Sequence, residues 1–332
     1  MISRDQLLKN PIEDIYLEDL LEIKNFSKLI DIYRKMGGFS VDFLVNASEI
    51  LIKMLEDNKC KIFLGFTANL IATGLRGLIS SLLRYHLVDT IITTGGTIDH
   101  DIARALGGKY YKGKFQYDDK MLKSLEIHRL GNILVPVENY GPIIERFTHE
   151  TLETIIQTTR KLSPSELLRE IGKRIPDKNS ILYQAAINDI PIFSPGIVDS
   201  AFGTALFTYN EHIRAVSNSL KNFELDIIKD LKKISDIVFD SKKMGAIILG
   251  GGISKHHIIW WSQFKGGLDY AIYITTAVEW DGSLSGAKTR EAISWGKLKP
   301  EAEHVNLPGD ATILFPLLIG ISAQKIIQIK RR

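Results

Sequence analysis

The feature that most constrains the fold is a series of six short apolar segments, each rich in β-branched residues and followed by a helical pattern. They lie at residues 61–66, 89–94, 132–136, 190–195, 245–250 and 270–275. Strands that alternate with helices pair in parallel through right-handed crossovers. Most of the segments are continuously apolar, as expected of strands covered by helices on both faces. The sequence therefore predicts an α/β fold with an open, doubly wound sheet.

Helical patterns fill the intervals between these segments. They cover residues 69–86, 98–106, 140–160 and 223–239, and Ser163 precedes a proline and an acid as a helix N-cap does. The most apolar run, 311–323, contains Pro316 and Gly320, and we interpret it as a buried strand or the start of a helix. Without a low-complexity linker or an internal repeat, the sequence predicts one α/β domain over 56–332 after an N-terminal helical extension over 1–55.

Composition limits the function classes. Of 332 residues, 45% are hydrophobic and 24% are charged, which is typical of a globular protein. Forty-two basic and 39 acidic residues are too balanced for a nucleic-acid-binding protein. The single cysteine, Cys60, forms no internal disulfide, and no Cys/His run has zinc-ligand spacing, so we expect no metal. Because no signal peptide or spanning segment is evident, we expect a cytoplasmic protein without membrane contact.

In an open α/β sheet, ligands bind beyond the carboxyl ends of the strands. The segments that follow the predicted strands are rich in small and polar residues. Three consecutive glycines, 250–252, let the backbone approach a phosphate at the start of a helix that we expect from Lys255. The spacing is not G-x-G-x-x-G, so a tight strand-to-helix turn is the alternative. A second turn, Gly95-Gly96 behind two threonines, strengthens the case for a dinucleotide.

Acids and histidines near these turns are candidates for binding and proton transfer. Asp199 and Asp310 follow or flank apolar runs, where an acid binds ribose hydroxyls or a cationic substrate, or instead caps a helix. His256 and His257 follow the triple glycine, where one of them could act as an acid or base. A surface pair on the first helical turn is the alternative, and for adjacent histidines we expect only one to face inward.

The segment 279–297 combines acids, hydroxyls, Trp295 and Lys297, and shows little hydrophobic periodicity at its start. It has the character of a site loop followed by a short helix. A lysine flanked by tryptophan and glycine can be desolvated, which lowers the amine pKa and favours attack on an imine or carbonyl carbon. The alternative is a solvated surface lysine, and residue chemistry alone does not separate the two.

The same turns carry a resemblance to a known family. The blocks are GFTANL, TTGG, FSPGIVDSAFG, ILGGGISKHH, TTAVEWDGSLSGAKTREAISWGK and DATILFPLL. In this order, from about residue 60 to 325, they resemble deoxyhypusine synthase, above all its archaeal members. The resemblance implies an open parallel Rossmann-like NAD-binding sheet with helices on both faces, assembled as a homotetramer with active sites at dimer interfaces and no metal.

The resemblance also implies a reaction. NAD takes a hydride from spermidine, and the aminobutyl group passes through an imine on a lysine that matches Lys297 to a lysine of translation initiation factor 5A. The implied polyamine contacts are His256, Gly282, Ser283, Glu291 and Trp295. The implied NAD contacts are Thr67, Ala68, Asn69, Thr93, Thr94, Gly95, Asp199, Gly251, Thr276, Ala277, Asp310 and Ala311.

Three positions depart from the better-known eukaryotic pattern. His100, Thr204 and Leu284 stand where that pattern has acids. A polyamine would thereby lose charge-assisted contacts, for which we expect Asp99, Asp101 and Glu279 to compensate. Two alternatives remain open: transfer to a free diamine, as in homospermidine-synthase-like relatives, and a non-catalytic NAD-binding paralogue.

Overall fold

Six parallel strands form the central sheet of the protein. The computed structural model describes residues 12–217 and 222–330. These strands are β1 Cys60–Phe66, β2 Thr90–Ile92, β7 Ile192–Phe193, β9 Lys243–Leu249, β10 Leu268–Thr275 and β11 Leu298–Pro308. Across the sheet they follow the order β7-β2-β1-β9-β10-β11, and every neighbouring pair is parallel. The predicted α/β fold with an open parallel sheet is confirmed.

The strand order reverses at the middle of the sheet. Counted along the chain, the six strands lie in the order 3-2-1-4-5-6, which is the order of dinucleotide-binding folds. The reversal falls between β1 and β9, where Leu64 is paired with Ile91 on one side and with Ile247 on the other. In such sheets the crossovers run away from this point in opposite directions, so a crevice opens beyond the carboxyl ends of these two strands.

Two strands differ from the expectation: one pairs in another sheet, and one was not predicted. Residues 133–136 do form a strand, β5 (Ile133–Pro136), but it pairs antiparallel with β3 (Tyr111–Lys112) and β4 (Ile127–Leu130) in a separate small sheet. β11 was not predicted, because its sequence carries charges and two prolines. β11 tolerates such a composition because it is an edge strand, so one of its two sides forms no hydrogen bonds to another strand of the sheet. A further short pair joins β6 (Lys161–Leu162) and β8 (Glu224–Leu225) in parallel.

Helices surround the sheet. Among the described residues, three helices precede β1: α1 Leu17–Leu21, α2 Phe26–Met36 and α3 Phe39–Glu56. Those between β1 and β7 are α4 Leu75–Arg84, α5 Gly95–Ala105, α6 Asp119–Ser124, α7 Gly141–Ile155, α8 Pro164–Arg174 and α9 Ile181–Ile187. The rest are α10 Ala201–Ser217, α11 Ile227–Asp240, α12 Ile253–Ser262, α13 Thr289–Ser294 and α14 Ala311–Lys330.

Two local expectations can be compared with these helices. Ser163 caps α8 as predicted, with its side chain accepting from the Glu166 amide while the Glu166 carboxylate accepts from the Ser163 amide. The apolar run at 311–323 is helical, since it lies within α14 with Pro316 inside the helix. Within the described ranges, no helix is both long enough and apolar enough to cross a membrane.

The strands bury both of their faces, because successive side chains point to opposite sides of a sheet. On one face Leu64 and Ile272 join a cluster that includes side chains of α3, α4 and α14. On the other face Phe63, Ala246 and Tyr273 join a cluster with α11, α12 and α13. This two-sided burial explains why the central strands are continuously apolar.

Two aspartates of α5 fix the starts of two other helices. Asp99 accepts from the amides of Ala201 and Phe202 at 3.0 and 2.7 Å, and so caps α10. Asp101 accepts from the amides of Ile181 and Leu182 at the start of α9. Both carboxylates are buried, so the expectation that they compensate for missing amine-binding acids is wrong.

Asp101 also holds a buried cation. The Nε of Arg76 donates to its Oδ1 at 2.6 Å, and the hydroxyl of Ser180 donates to its Oδ2 at 2.7 Å. Removing the carboxylate therefore leaves the buried Arg76 guanidinium with Asp177 as its remaining carboxylate partner and removes the acceptor of two amides at the start of α9.

We predict that Asp101→Ala lowers the free energy of unfolding by about 3–5 kcal/mol, the usual cost of breaking a buried ion pair. Urea denaturation measures the change. Asp31→Ala is the matched control, because Asp31 pairs with Arg34 on the exposed surface of α2 and should contribute little. Equal effects of the two substitutions would contradict this account of Asp101.

Candidate functional site

A cavity of about 230 Å³ lies at the carboxyl ends of β1, β9, β10 and β11, at the reversal of the strand order. We call it the switch-point cavity. Its walls come from four strand ends and the turns that follow them. The lining residues are Thr67, Asn69, Leu70, Gly250, Ile274, Thr275, Thr276, Gly309, Asp310 and Ala311. Five of the residues that were predicted to bind NAD therefore line this one cavity: Thr67, Asn69, Thr276, Asp310 and Ala311.

The turns after β1 and β9 approach each other closely. The Thr67 hydroxyl donates to Asn69 Oδ1 at 2.6 Å, which orients the asparagine side chain. Gly250 has a φ of +85°, and a Cβ there would lie 3.4 Å from the Thr67 side chain. Glycine is needed at this position because other residues rarely adopt that backbone conformation. Backbone atoms and a hydroxyl group therefore form this part of the cavity wall.

Asp310 lies at the rim of this cavity. Its side chain is exposed, and its Oδ1 accepts from the Thr312 amide at 2.8 Å at the start of α14. The carboxylate therefore does cap this helix, as the alternative interpretation held, while remaining open to the cavity that it lines.

The turn after β2 adjoins the segment that carries Asp199. A Cβ on Gly95 would lie 2.6 Å from the Ser200 Cβ, so only glycine fits there. Thr93 is fully buried, and its hydroxyl donates to the Phe66 carbonyl at 3.0 Å, inside the sheet. Of the two threonines, Thr94 is the one that reaches the surface, whereas Thr93 joins the ends of β1 and β2.

A second group of predicted residues lies on α12 and around α13. The Lys297 amine lies 5.0 Å from the centre of the Trp295 ring, and both side chains reach solvent. The His256 ring stacks on Trp260 at 5.6 Å between ring centres. Partial desolvation of its ring lowers the pKa of His256, and the nearby Lys297 charge lowers it further. His256 is therefore largely neutral at neutral pH, close to an amine.

The two adjacent histidines face in different directions, as expected. His256 is exposed, while His257 is half-buried with its ring against Trp261. Burial lowers the pKa of His257 to about 4, so it stays uncharged inside the protein.

The triple glycine lies between the cavity and this second group. Gly250 lines the cavity, whereas the Gly252 carbonyl accepts from the His256 amide at 3.0 Å. A Cβ on Gly251 would lie only 2.2 Å from the Ser285 hydroxyl. Residues 278–287, which we call the site loop, therefore rest directly on this turn. The site loop carries Gly282 and Ser283, both exposed.

One residue was missed by sequence analysis. Lys255 is 1% exposed, and its amine donates to the carbonyls of Leu284 and Ala287 at 2.8 and 2.7 Å. The neighbouring sequence does not indicate that Lys255 is buried. Lysine is rarely buried unless partners satisfy its charge, and the partners of Lys255 come from the site loop, not from the residues around it.

The residues that stand in place of the acids of the eukaryotic pattern make other contacts. His100 is buried with its Nδ1 2.9 Å from the Tyr110 hydroxyl, and burial lowers its pKa to about 4. The Leu284 side chain packs against the core cluster of α12 and α13. Thr204 donates to the Ser200 carbonyl at 3.0 Å. Glu279, the third expected substitute, is ion-paired with Arg290.

Comparison with known proteins identifies the family. A sequence profile described as deoxyhypusine synthase matches residues 28–321. A protein of Sulfurisphaera tokodaii named "Probable deoxyhypusine synthase" is 52% identical over 317 residues, which are 96% of this chain and 98% of that protein. A protein of the same name from Sulfolobus acidocaldarius gives the same identity and shares. This chain belongs to the deoxyhypusine synthase family. It is thus related to transferases.

A solved structure agrees with this family assignment. The crystal structure of a "putative deoxyhypusine synthase" from Entamoeba histolytica superposes with a TM-score of 0.63 at 25% identity, covering 94% of this chain and 97% of that one. The resemblance of the sequence blocks to deoxyhypusine synthase is therefore confirmed, and the relatives named above are archaeal. Within this fold, each block contains or follows the carboxyl end of one strand of the central sheet.

The geometry around His256 yields a prediction. Replacing Lys297 with methionine removes a positive charge beside His256, so the pKa of His256 should rise, while partial desolvation of the ring keeps it below the ordinary value. NMR titration of carbon-13-labelled histidine measures this shift. Lys299→Met is the control, since the Lys299 amine lies 2.6 Å from Asp269. If Lys297→Met leaves the pKa of His256 unchanged, the two groups are not neighbours.

Proposed function

We propose that this member of the deoxyhypusine synthase family is an NAD-dependent aminobutyltransferase. It takes the aminobutyl group from spermidine, carries it on Lys297 as an imine, and delivers it to a lysine of a translation initiation factor 5A homologue. One observation carries the proposal: the turn 250–252 lines the switch-point cavity with Gly250, and its Gly252 carbonyl accepts from the amide of His256, the neighbour of Lys297.

The switch-point cavity suits NAD. Its small and hydroxyl-bearing residues leave room for a ribose and a pyrophosphate, and the exposed Asp310 carboxylate can accept hydrogen bonds from ribose hydroxyls. The helices α5, α12 and α14 all begin at this edge, so their amide groups favour phosphate. Residues proposed to hold NAD are Thr67, Ala68, Asn69, Thr93, Thr94, Gly95, Asp199, Gly251, Thr276, Ala277, Asp310 and Ala311.

When bound, NAD would supply the hydride acceptor that makes the donor amine electrophilic and the hydride source for the final reduction. The protein's own residues do the rest. The Lys297 amine, once it has lost its proton, attacks the activated carbon of the donor; the bond from that carbon to the remaining nitrogen of spermidine then breaks, and diaminopropane leaves. His256 is largely neutral and close enough to influence that amine, so it can take up a proton during the attack.

Donor binding is proposed to depend on an aromatic face and one acid. The Trp295 ring lies beside the Lys297 amine and offers a surface for a second cation. Glu291 is exposed one turn before it on α13, and Gly282 and Ser283 lie on the site loop. Since Asp99, Asp101 and Glu279 are engaged elsewhere, fewer carboxylates are available than in the eukaryotic pattern.

We further propose that the protein acts as a cytoplasmic homotetramer, with one α/β domain over 56–332 and a helical extension over 1–55. Support for assembly comes from large apolar side chains exposed near the site. Trp280 is 86% exposed and Trp295 is 65% exposed, and a neighbouring subunit would shield them from water.

The test is a transfer assay. Purified protein is incubated with NAD, labelled spermidine and the factor 5A homologue, and mass spectrometry locates any mass gain. We predict an aminobutyl gain on one acceptor lysine, its complete loss in Lys297→Ala, and an adduct on Lys297 after borohydride reduction during turnover. Lys299→Ala, two residues further along the chain, is the matched control and should remain active.

Other outcomes separate the alternatives. NADH formation without protein modification would indicate a free diamine as acceptor. An adduct only with a diamine donor would indicate that the missing acids have changed donor choice. If no amine gives an adduct and NAD still binds, the chain is a non-catalytic NAD-binding paralogue and the proposal is wrong.

A further inference from the structure

A nearly fully buried lysine lies beside the proposed catalytic group. Lys255 is on the first turn of α12, one residue before His256, and only 1% of it is exposed. An ammonium group has three N–H donors and loses much hydration energy when buried. Two donors go to the carbonyls of Leu284 and Ala287, and the amine lies 4.3 Å from the centre of the Tyr273 ring. The charge is thus fully engaged.

Both carbonyl acceptors belong to the site loop. The loop is folded tightly on itself, because a Cβ on Gly286 would lie only 1.9 Å from the Val278 carbonyl oxygen. The amides of Gly286 and Ala287 both donate to the Ser283 carbonyl, at 3.1 and 3.2 Å. Lys255 therefore bonds to the C-terminal half of a compact turn whose exposed residues include Gly282 and Ser283.

Two contacts with α12 and the turn before it hold the loop. Ser285 rests on Gly251, and the Leu284 and Ala287 carbonyls rest on the Lys255 amine. The first contact is steric and sets how close the loop can come. The second is attractive and directional, so it determines where the loop settles.

We propose that Lys255 is a positioning residue for the transfer reaction, whose ammonium group fixes the site loop against α12 and so sets the distance of Gly282 and Ser283 from His256 and Lys297. The proposal rests on the proposed function for its kinetic consequence. The structural part of the proposal, that the ammonium group holds the loop in place, does not depend on which reaction the protein catalyses.

A purely stabilising role does not explain this lysine. Replacing a buried charge by an apolar side chain of similar volume is often neutral or stabilising for a protein. Methionine has nearly the length of lysine and would fit the apolar surroundings without a charge to satisfy. A buried ammonium is therefore more useful for directing two loop carbonyls than for the stability of the fold.

The charges around Lys255 make the contact pH-dependent. Burial lowers the pKa of Lys255 to about 8, the carboxylate of Glu291 opposes this shift, and the positive charge of Lys288 adds to it. The Tyr273 ring from β10 completes the surroundings, and its hydroxyl pKa is raised by burial, so it stays neutral. Because the amine is protonated below about pH 8, the contact is complete there and weakens as the pH rises.

The experiment compares Lys255→Met, Lys255→Arg and the control Lys265→Met. Lys265 is a half-buried lysine just after α12 whose amine donates to the Phe239 carbonyl. Hydrogen–deuterium exchange of peptides within 278–288 reports on the loop. We expect exchange to be faster by about tenfold in Lys255→Met at pH 7, with unfolding by urea little changed, and unchanged in Lys265→Met.

Kinetics test the positioning role. We expect Lys255→Met to raise KM for spermidine by about tenfold with a smaller effect on kcat, because the loop residues contact the donor and not the reacting bond. Lys255→Arg keeps a positive charge and should restore part of the affinity. In the wild type KM should rise above about pH 8, and in Lys255→Arg it should not.

Two results would overturn the proposal. Unchanged loop exchange in Lys255→Met would show that the ammonium does not hold the loop. Faster exchange with an unchanged KM would show that the loop position does not matter for the donor. If the wild type transfers nothing, the proposed function fails, and the exchange data still decide whether Lys255 holds the loop.

Discussion

The reversal of strand order between β1 and β9 is the constraint on which the rest of the structure depends. The chain runs from β1 to β2 on one side of this point and from β9 to β10 on the other, so a crevice opens beyond the carboxyl ends of β1 and β9. Turns with small and hydroxyl-bearing residues lie at this point, including Thr67 after β1 and Gly250 after β9. The cavity is therefore a consequence of topology, and the turn residues decide what it can bind.

Buried charges fix the elements around this cavity. Asp99 and Asp101 lie two residues apart on α5, so they point in different directions and hold the first turns of α10 and α9. Lys255 plays a similar role on the other side of the sheet, where its amine donates hydrogen bonds to two carbonyls of the site loop. In each case a charged group is satisfied by backbone amides or carbonyls, which joins segments distant in sequence and limits their movement.

Much of the fold could be predicted from the sequence, because the central strands are buried on both faces and are therefore continuously apolar. The edge strand β11 escaped prediction, since its exposed side permits charges and prolines. The roles of Asp99, Asp101 and Lys255 also escaped, because an isolated acid or lysine is usually solvated and its burial depends on partners far along the chain. The site turns were recognisable because their residue types form long blocks in a fixed order.

The switch-point cavity is the proposed site of the dinucleotide, and a crystal structure of the protein grown with NAD would locate the cofactor. We expect density for NAD across the carboxyl ends of β1 and β9, with a ribose at Asp310 and the nicotinamide end toward His256 and Lys297. Density for NAD at any other place, with the cavity filled only by solvent, would show that the cavity is not the NAD site.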